Sequence, residues 1–154
     1  MSEIELTGNR DLSYSVWHRT ASTARYIGLE NAQLLSMIDL DVILYVECHG
    51  KQPIALLEVA KDYGQYKAST ITKNLAARCN GHMPALVALY TNSIKPNPAD
   101  PKYLDIEKVR FKRIWPQGTY WDDWITVTAK EWAEILLGIR HNGYNSLSDL
   151  ILKP

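Results

Sequence analysis

The chain has 154 residues with 17 basic and 17 acidic side chains, so its formal net charge at neutral pH is zero. A neutral chain has no global positive field to recruit nucleic acid, so any such binding must come from a local basic patch. No stretch of about 18 uncharged apolar residues occurs, which excludes a membrane-spanning helix. The polar N-terminus and the two cysteines, expected as free thiols, predict a cytoplasmic protein.

The length predicts one domain over residues 1–154, with a core at about 29–90 and a C-terminal strand-and-helix extension at about 105–154. Apolar residues at helical spacing predict a helix at Leu29–Met37, before the first strand. Glu30 lies in its first turn, where the helix dipole favours an acid.

Two apolar strands joined by a tight turn follow this helix. Asp41–Val46 has four aliphatic residues, three of them β-branched, which predicts a strand buried on both faces. The turn falls at His49–Lys51, where Gly50 is free to adopt positive φ. Ile54–Ala60 predicts a second strand, interrupted only by Glu58.

Carboxylates in these two strands are the feature that points to function. Asp39 and Asp41 share one face of the first strand, and Glu58 lies within the second. An isolated charge is costly to remove from water, and two carboxylates on paired strands also repel each other. A divalent cation held by Asp41 and Glu58 offsets both costs, so the sequence predicts a site for Mg²⁺ or Mn²⁺.

The next elements alternate between helix, strand and loop. The sequence predicts a helix at about Lys67–Cys79 that buries Ile71 and Leu75, a short buried strand at Ala85–Tyr90, and a proline-rich surface loop at Thr91–Tyr103.

The C-terminal part predicts two strands and a helix. Asp105–Trp115 alternates, with Ile106, Lys108, Arg110 and Lys112 on a basic solvent face and Val109, Phe111 and Arg113 on the other. After a short strand at Trp124–Val127, Thr128 and Glu131 form a capping box. The helix that it opens is predicted to reach Arg140, bury Trp132, Ile135, Leu136 and Ile139, and stop by Gly143.

The strand, strand, helix, strand order with these two acids resembles the PD-(D/E)XK, or restriction-endonuclease-like, nuclease superfamily. The resemblance covers Asp41–Tyr90, about a third of the chain. It implies an α/β fold with a central mixed β-sheet flanked by helices, and metal-dependent hydrolysis of phosphodiester bonds in nucleic acid, in a phage or mobile-element member of the superfamily.

The resemblance also assigns roles to residues. Asp41 and Glu58 match the two metal-binding acids, and the Val59 carbonyl matches a third ligand. The family's lysine position falls on Ala60, so the lysine is displaced or missing. Lys67 and Lys61 are the alternatives for its catalytic role, and Lys67 needs no bulge in the second strand. Glu30 and Asp39 are the candidates for an additional acid.

The expected partner is nucleic acid, DNA ahead of RNA, with a homodimer left open. Positive charge for this contact comes from Lys73 and Arg78 on the predicted helix and from Arg110 and Lys112 on the basic strand. Aromatic residues near that strand are candidates for stacking on bases: Trp115, Tyr120, Trp121 and Trp124.

Three other interpretations compete with a nuclease. A catalytically inactive nuclease fold that binds nucleic acid or protein would explain Ala60 and the neutral net charge. Asp39–Asp41 also matches the metal-nucleotide motif of glycosyltransferases, whose fold needs more strands than this chain offers. A zinc site would use Cys48, His49, Cys79 and His82, but the adjacency of Cys48 and His49 strains tetrahedral geometry.

Overall fold

The computed structural model describes residues 13–37, 41–47, 49–66, 70–79, 83–118 and 121–152. The chain divides into two units, Met1–Asp39 and Leu40–Pro154. Within the described ranges, no helix combines the length and the apolar character needed to cross a bilayer.

The first unit contains three short helices, α1 (Ser13–Trp17), α2 (Thr20–Ile27) and α3 (Leu29–Gln33). Gly28, at φ 83°, separates α2 from α3. The helix predicted to reach Met37 ends at Gln33 instead. Its last turn is tightened, because the backbone N–H of Leu34 donates to the carbonyl of Asn31, three residues earlier.

The second unit is built on one mixed sheet, which confirms the predicted α/β class. Its elements are β1 (Val42–Glu47), β2 (Lys51–Lys61), α4 (Thr70–Arg78), β3 (Ala85–Asn97), β4 (Asp100–Trp115), β5 (Ile125–Thr128) and α5 (Ala129–Leu152). The strands lie in the order β1-β2-β3-β4-β5. Strands β2 and β3 are parallel, and α4 lies between them in the chain, whereas the other neighbouring strands are antiparallel.

The two faces of the sheet carry separate apolar clusters. The cluster on the side covered by α5, here called the α5 face, includes Leu57, Leu86 and Phe111. The opposite cluster, on the α4 face, includes Leu56 and Val87. The strands and helix that the sequence analysis treats as an extension therefore supply part of the same core, since α5 packs against β1, β2, β4 and β5.

Strand β1 lies at the edge of the sheet, and the prediction of a strand buried on both faces is wrong. Val42, Ile43 and Tyr45 are exposed, whereas Val46 is buried. The reason is its position, because among the described strands β1 pairs only with β2, and α4 packs against β2, β3 and β4 instead. The buried strand of the pair is β2.

Helix α4 also buries a different side from the predicted one. Thr72 and Ala76 are its buried residues, while Ile71 is 52% exposed. Leu75 is partly buried against the α4 face as expected. Small side chains at the contact let the helix backbone lie close to the sheet.

A long hairpin of β3 and β4 replaces the predicted loop at Thr91–Tyr103. Beyond Tyr90, the described part of the chain gives β3 no partner except β4, and this pairing continues to Asn97 and Asp100 at the turn. The outer edges of a two-stranded ribbon need no hydrogen bonds from a neighbouring strand, so Pro96 is tolerated within it. A register shift next to Glu107 turns Ile106 toward the α5 face, away from its predicted side.

The predicted capping box opens helix α5. The carboxylate of Glu131 accepts the backbone N–H of Thr128 at 2.7 Å, and the Thr128 hydroxyl accepts the N–H of Glu131 at 3.2 Å. The predicted stripe of Trp132, Ile135, Leu136 and Ile139 packs on the α5 face. The helix passes the predicted stop at Gly143 and continues to Leu152.

Gly143 is a contact point between α5 and the sheet. A Cβ built at this position would lie 2.7 Å from the Cβ of Ile54, closer than real Cβ atoms approach. Gly138 lies in the same helix with nothing within 4 Å of an added Cβ. The missing side chain at Gly143 therefore allows the helix to lie against β2.

We expect Gly143→Ala to destabilise the protein by about 1–3 kcal/mol, because the methyl group overpacks the contact with Ile54. Gly138→Ala should instead stabilise it by about 0.5–1 kcal/mol, the normal gain in an open helix position. Urea unfolding of both variants measures the two free energies. Equal stabilisation by the two substitutions would contradict the close approach of α5 to β2.

Candidate functional site

The two predicted metal-binding acids come from the end of one strand pair. The register pairs Val42 with Leu57, so continuing it by one residue sets Asp41 opposite Glu58. Asp41 directly precedes β1, and its carboxylate accepts the backbone N–H of Val59 at 3.0 Å. This bond holds the Asp41 side chain against the backbone of Val59, the residue next to Glu58.

Glu58 is a buried carboxylate within an apolar strand. Its side chain is directed to the α4 face, which it shares with Leu56 and Ala60, and the residue is 7% exposed. The hydroxyl of Tyr66 donates a hydrogen bond to the Glu58 carboxylate at 2.6 Å. A short bond to an ionised acceptor compensates part of the hydration that the carboxylate loses.

Tyr66 responds to both acids. Burial raises the pKa of its hydroxyl above the ordinary tyrosine range, and the hydrogen bond to Glu58 and the charges of Glu58 and Asp41 raise this pKa further. Of the two acids, Glu58 accepts the hydroxyl's hydrogen bond, whereas Asp41 affects the hydroxyl through its charge alone. At neutral pH the hydroxyl therefore stays protonated and remains a hydrogen-bond donor.

The carboxylates of Asp41 and Glu58 and the carbonyl of Val59 are oxygen ligands of the kind that hard cations bind. The N–H and C=O groups of one strand residue point to the same side, so the Val59 carbonyl faces the side on which Asp41 lies. Mg²⁺ is typically held by one or two carboxylates and keeps several waters. Among the described residues no cluster of three or more acidic, histidine or cysteine side chains forms, so Asp41, Glu58 and Val59 fit Mg²⁺ or Mn²⁺ only with water completing the shell.

Of the two lysines predicted for the catalytic role, the described residues include Lys61 and not Lys67. The pairing of β2 with β3 continues without a bulge from Leu56 to Lys61, so Lys61 points to the face opposite Glu58. Its amine lies 6.0 Å from the centroid of the Tyr63 ring. Lys67 lies outside the described residues, and Ala60 is partly buried on the α4 face.

The predicted basic residues on β4 are held by other protein groups. Arg110 forms an ion pair of 2.9 Å with Asp62 and donates to the Gly64 carbonyl, and the hydrogen bond from Arg110 is the main reason that the pKa of Asp62 is lowered. Arg110 and Lys112 also lie over the ring of Trp124, at 4.4 and 4.8 Å from its centroid. These cations form a basic-aromatic cluster on the α4 face.

The remaining predicted nucleic-acid contacts lie on α4, where Lys73 is half-buried and Arg78 is exposed at the last position. Glu30 lies in α3 of the first unit, and Asp39 lies outside the described residues. Of the proposed zinc ligands, Cys48 and His82 lie outside them too, and Cys79 is a free thiol.

The aromatic residues proposed for base stacking occupy different environments. Trp115 packs on the α4 face, and Trp121 meets Phe111 edge to face at 5.6 Å between ring centroids. Arg110 and Lys112 lie over the ring of Trp124. Tyr120 lies outside the described part of the chain. These contacts place Trp121 with the core of the α5 face rather than with the basic-aromatic cluster.

Sequence reasoning missed Tyr66 and Asp62. The carboxylate of Asp62 accepts the N–H of Gly64 at 2.9 Å, and Gly64 adopts a φ of 97°. An aspartate two residues before a glycine is a recognised turn signal, so the sequence offered a hint that the chain reverses here. No local pattern indicates that the reversal brings Tyr66 to Glu58.

Comparison of the chain with family models, with curated proteins and with solved structures gives no match. The resemblance to PD-(D/E)XK nucleases therefore stays a hypothesis based on the order of elements and on two acids. The geometry of Asp41, Glu58 and Tyr66 is the structural basis for a proposed function.

We expect Tyr66→Phe to lower the free energy of unfolding at neutral pH by roughly 1.5–3 kcal/mol, because Glu58 loses a hydrogen bond to its charge. A raised pKa in the folded state gives stability that is complete below about pH 10, the ordinary tyrosine value, and is lost as the pH rises through the folded value. The alkaline loss of stability should therefore be smaller in Tyr66→Phe.

Urea unfolding across this pH range measures both effects, and absorbance titration counts the tyrosines that ionise late. Tyr63→Phe is the matched control, since Tyr63 is 82% exposed and three residues away in the chain. Equal behaviour of the two variants would contradict the bond from Tyr66 to Glu58.

Proposed function

We propose that this protein is a metal-dependent nuclease that hydrolyses phosphodiester bonds in nucleic acid, with DNA as the first substrate to test. The observation that carries the proposal is the pair of acids at one end of the β1–β2 pair, where Asp41 accepts the backbone N–H of Val59 and Glu58 accepts the hydroxyl of Tyr66. Asp41, Glu58 and the Val59 carbonyl would hold Mg²⁺ or Mn²⁺. The resemblance to PD-(D/E)XK nucleases assigns the same roles to these positions.

A bound divalent cation polarises the phosphodiester and lowers the pKa of the attacking water. The protein's own contribution is orientation. Val59 fixes one oxygen of Asp41 through its N–H, and Tyr66 fixes one oxygen of Glu58 while remaining protonated at neutral pH.

A positive group is also needed for the charge that develops on the phosphate. Lys67 is our choice for this role, because it follows Tyr66 directly in the sequence. Lys61 is the weaker choice, since the regular pairing of β2 directs it to the face opposite Glu58. Ala60 has no group that contributes.

A second candidate function is a nucleic-acid-binding protein with a nuclease-like fold and no catalysis. Ala60 at the family's lysine position and the basic-aromatic cluster of Arg110, Lys112 and Trp124 favour it. Such a protein would bind nucleic acid in EDTA, with an affinity that falls as salt rises. Homodimer formation is compatible with both functions.

We expect Asp41→Asn and Glu58→Gln each to reduce divalent-dependent cleavage by about 100-fold or more, the order found when one electrostatic contact to a reacting group is removed. Glu47→Gln is the matched control, because Glu47 is an exposed acid on β1 away from the site. The assay offers plasmid, single-stranded DNA and RNA to the purified protein with Mg²⁺, Mn²⁺ or EDTA.

Cleavage that persists in EDTA, or that Asp41→Asn leaves unchanged, would mean that the activity does not come from this site. Absence of cleavage together with absence of Mn²⁺ binding at millimolar concentration would favour the binding function. Circular dichroism of each variant establishes that a lost activity is not a lost fold.

A further inference from the structure

A cavity of about 270 Å³ lies between the sheet and helix α5. Apolar side chains line one part of it, among them Ile54, Leu86, Trp121 and Ile139, and polar groups line the rest. It is on the α5 face, whereas Glu58 is directed to the α4 face. The cavity therefore shares no residue with the proposed metal site, and an inference from it does not depend on the nuclease proposal.

Arg113 supplies the one charged side chain among the described residues that line the cavity. Its position continues the alternation of Val109 and Phe111 along β4, which directs it to the α5 face. The guanidinium carbon lies 5.5 Å from the centroid of the Trp121 ring. A positive charge and an aromatic ring thus meet at the same wall.

The guanidinium of Arg113 lacks an acid partner in the part of the chain that the structure describes. Its Nε is buried there without a hydrogen-bond acceptor. Arg110, two residues earlier on the same strand, binds Asp62 and the Gly64 carbonyl. Buried polar groups are normally paired, so the contrast indicates that the Arg113 charge is placed for an acceptor from outside the chain.

The geometry points to a binding site for a small monocarboxylic acid with a flat or branched apolar body. A guanidinium matches a planar carboxylate through two parallel hydrogen bonds, and one cation balances one negative charge. A phosphate would bring more charge than Arg113 alone compensates. The cavity is smaller than the ~300–1,000 Å³ typical of drug-sized ligands, so the body is that of a small aromatic or aliphatic acid.

Polar groups on α5 complete one side of this site. Asn142 and Ser146 line the cavity, and the Ser146 hydroxyl donates to the Asn142 carbonyl at 2.9 Å. The amide of Asn142 offers both a donor and an acceptor, so it can bond a second polar atom of the acid. Gly143 lies between them and keeps the helix close to Ile54.

Titration of the full-length protein with benzoate tests the proposal. We expect saturable NMR shifts, at millimolar benzoate, in the Arg113 Nε–H signal and in the amides of Asn142 and Gly143. Arg113→Gln should weaken binding about tenfold or more, because it removes the charge-assisted pair. Arg140→Gln is the control, since Arg140 is an exposed arginine on α5 that lies over Tyr144.

Two further measurements keep the test decisive if Arg113→Gln does not fold. Ser146→Phe places a ring at the cavity while leaving Arg113 intact, and it should abolish the benzoate shifts. Neutral benzamide should bind far more weakly than benzoate, and inorganic phosphate should not displace benzoate. Absence of saturable shifts, shifts that survive Arg113→Gln or Ser146→Phe, or equal binding of benzamide or phosphate would each overturn the proposal.

Discussion

A carboxylate within a strand that is buried on both faces is the constraint on which this structure depends. Leu56 and Leu57 precede Glu58 in β2 and are almost fully buried, so the Glu58 charge must be compensated inside the protein. The Tyr66 hydroxyl contributes to this compensation, and its bond to Glu58 requires the chain after β2 to turn back toward the sheet. The bond from Asp62 to Gly64 closes that turn, and Arg110 ties it to β4. One buried charge thus links β2, the following loop and a distant strand.

The neutral net charge of the chain hides opposite local charges on the two faces of one sheet. Asp41 and Glu58 concentrate negative charge beside the end of β1, whereas Arg113 places positive charge in a cavity under α5. Two regions of opposite local charge are therefore compatible with a net charge of zero. The mixed sheet makes this separation possible, because adjacent residues of a strand point to opposite faces.

Local signals in the sequence predict the parts of this fold that local interactions determine. Gly50 in the first turn and the capping box at Thr128 are such cases, and both agree with the structure. The β3–β4 ribbon escaped prediction because Pro96 argues against a strand unless the strand is known to lack a second neighbour. The continuation of α5 past Gly143 was missed because this glycine serves packing against the sheet, which no local pattern reveals. Tyr66 was missed because no local pattern reveals its hydrogen bond to Glu58.

We propose above that Asp41, Glu58 and Val59 hold a divalent cation. Substoichiometric Mn²⁺ added to ¹⁵N-labelled protein tests it directly, because a bound paramagnetic ion broadens the amide signals closest to it. We expect the Val59 amide to broaden first and Asp41→Asn to abolish this effect. Uniform weak broadening, or broadening centred on the exposed acid Asp123 and unchanged in Asp41→Asn, would contradict it.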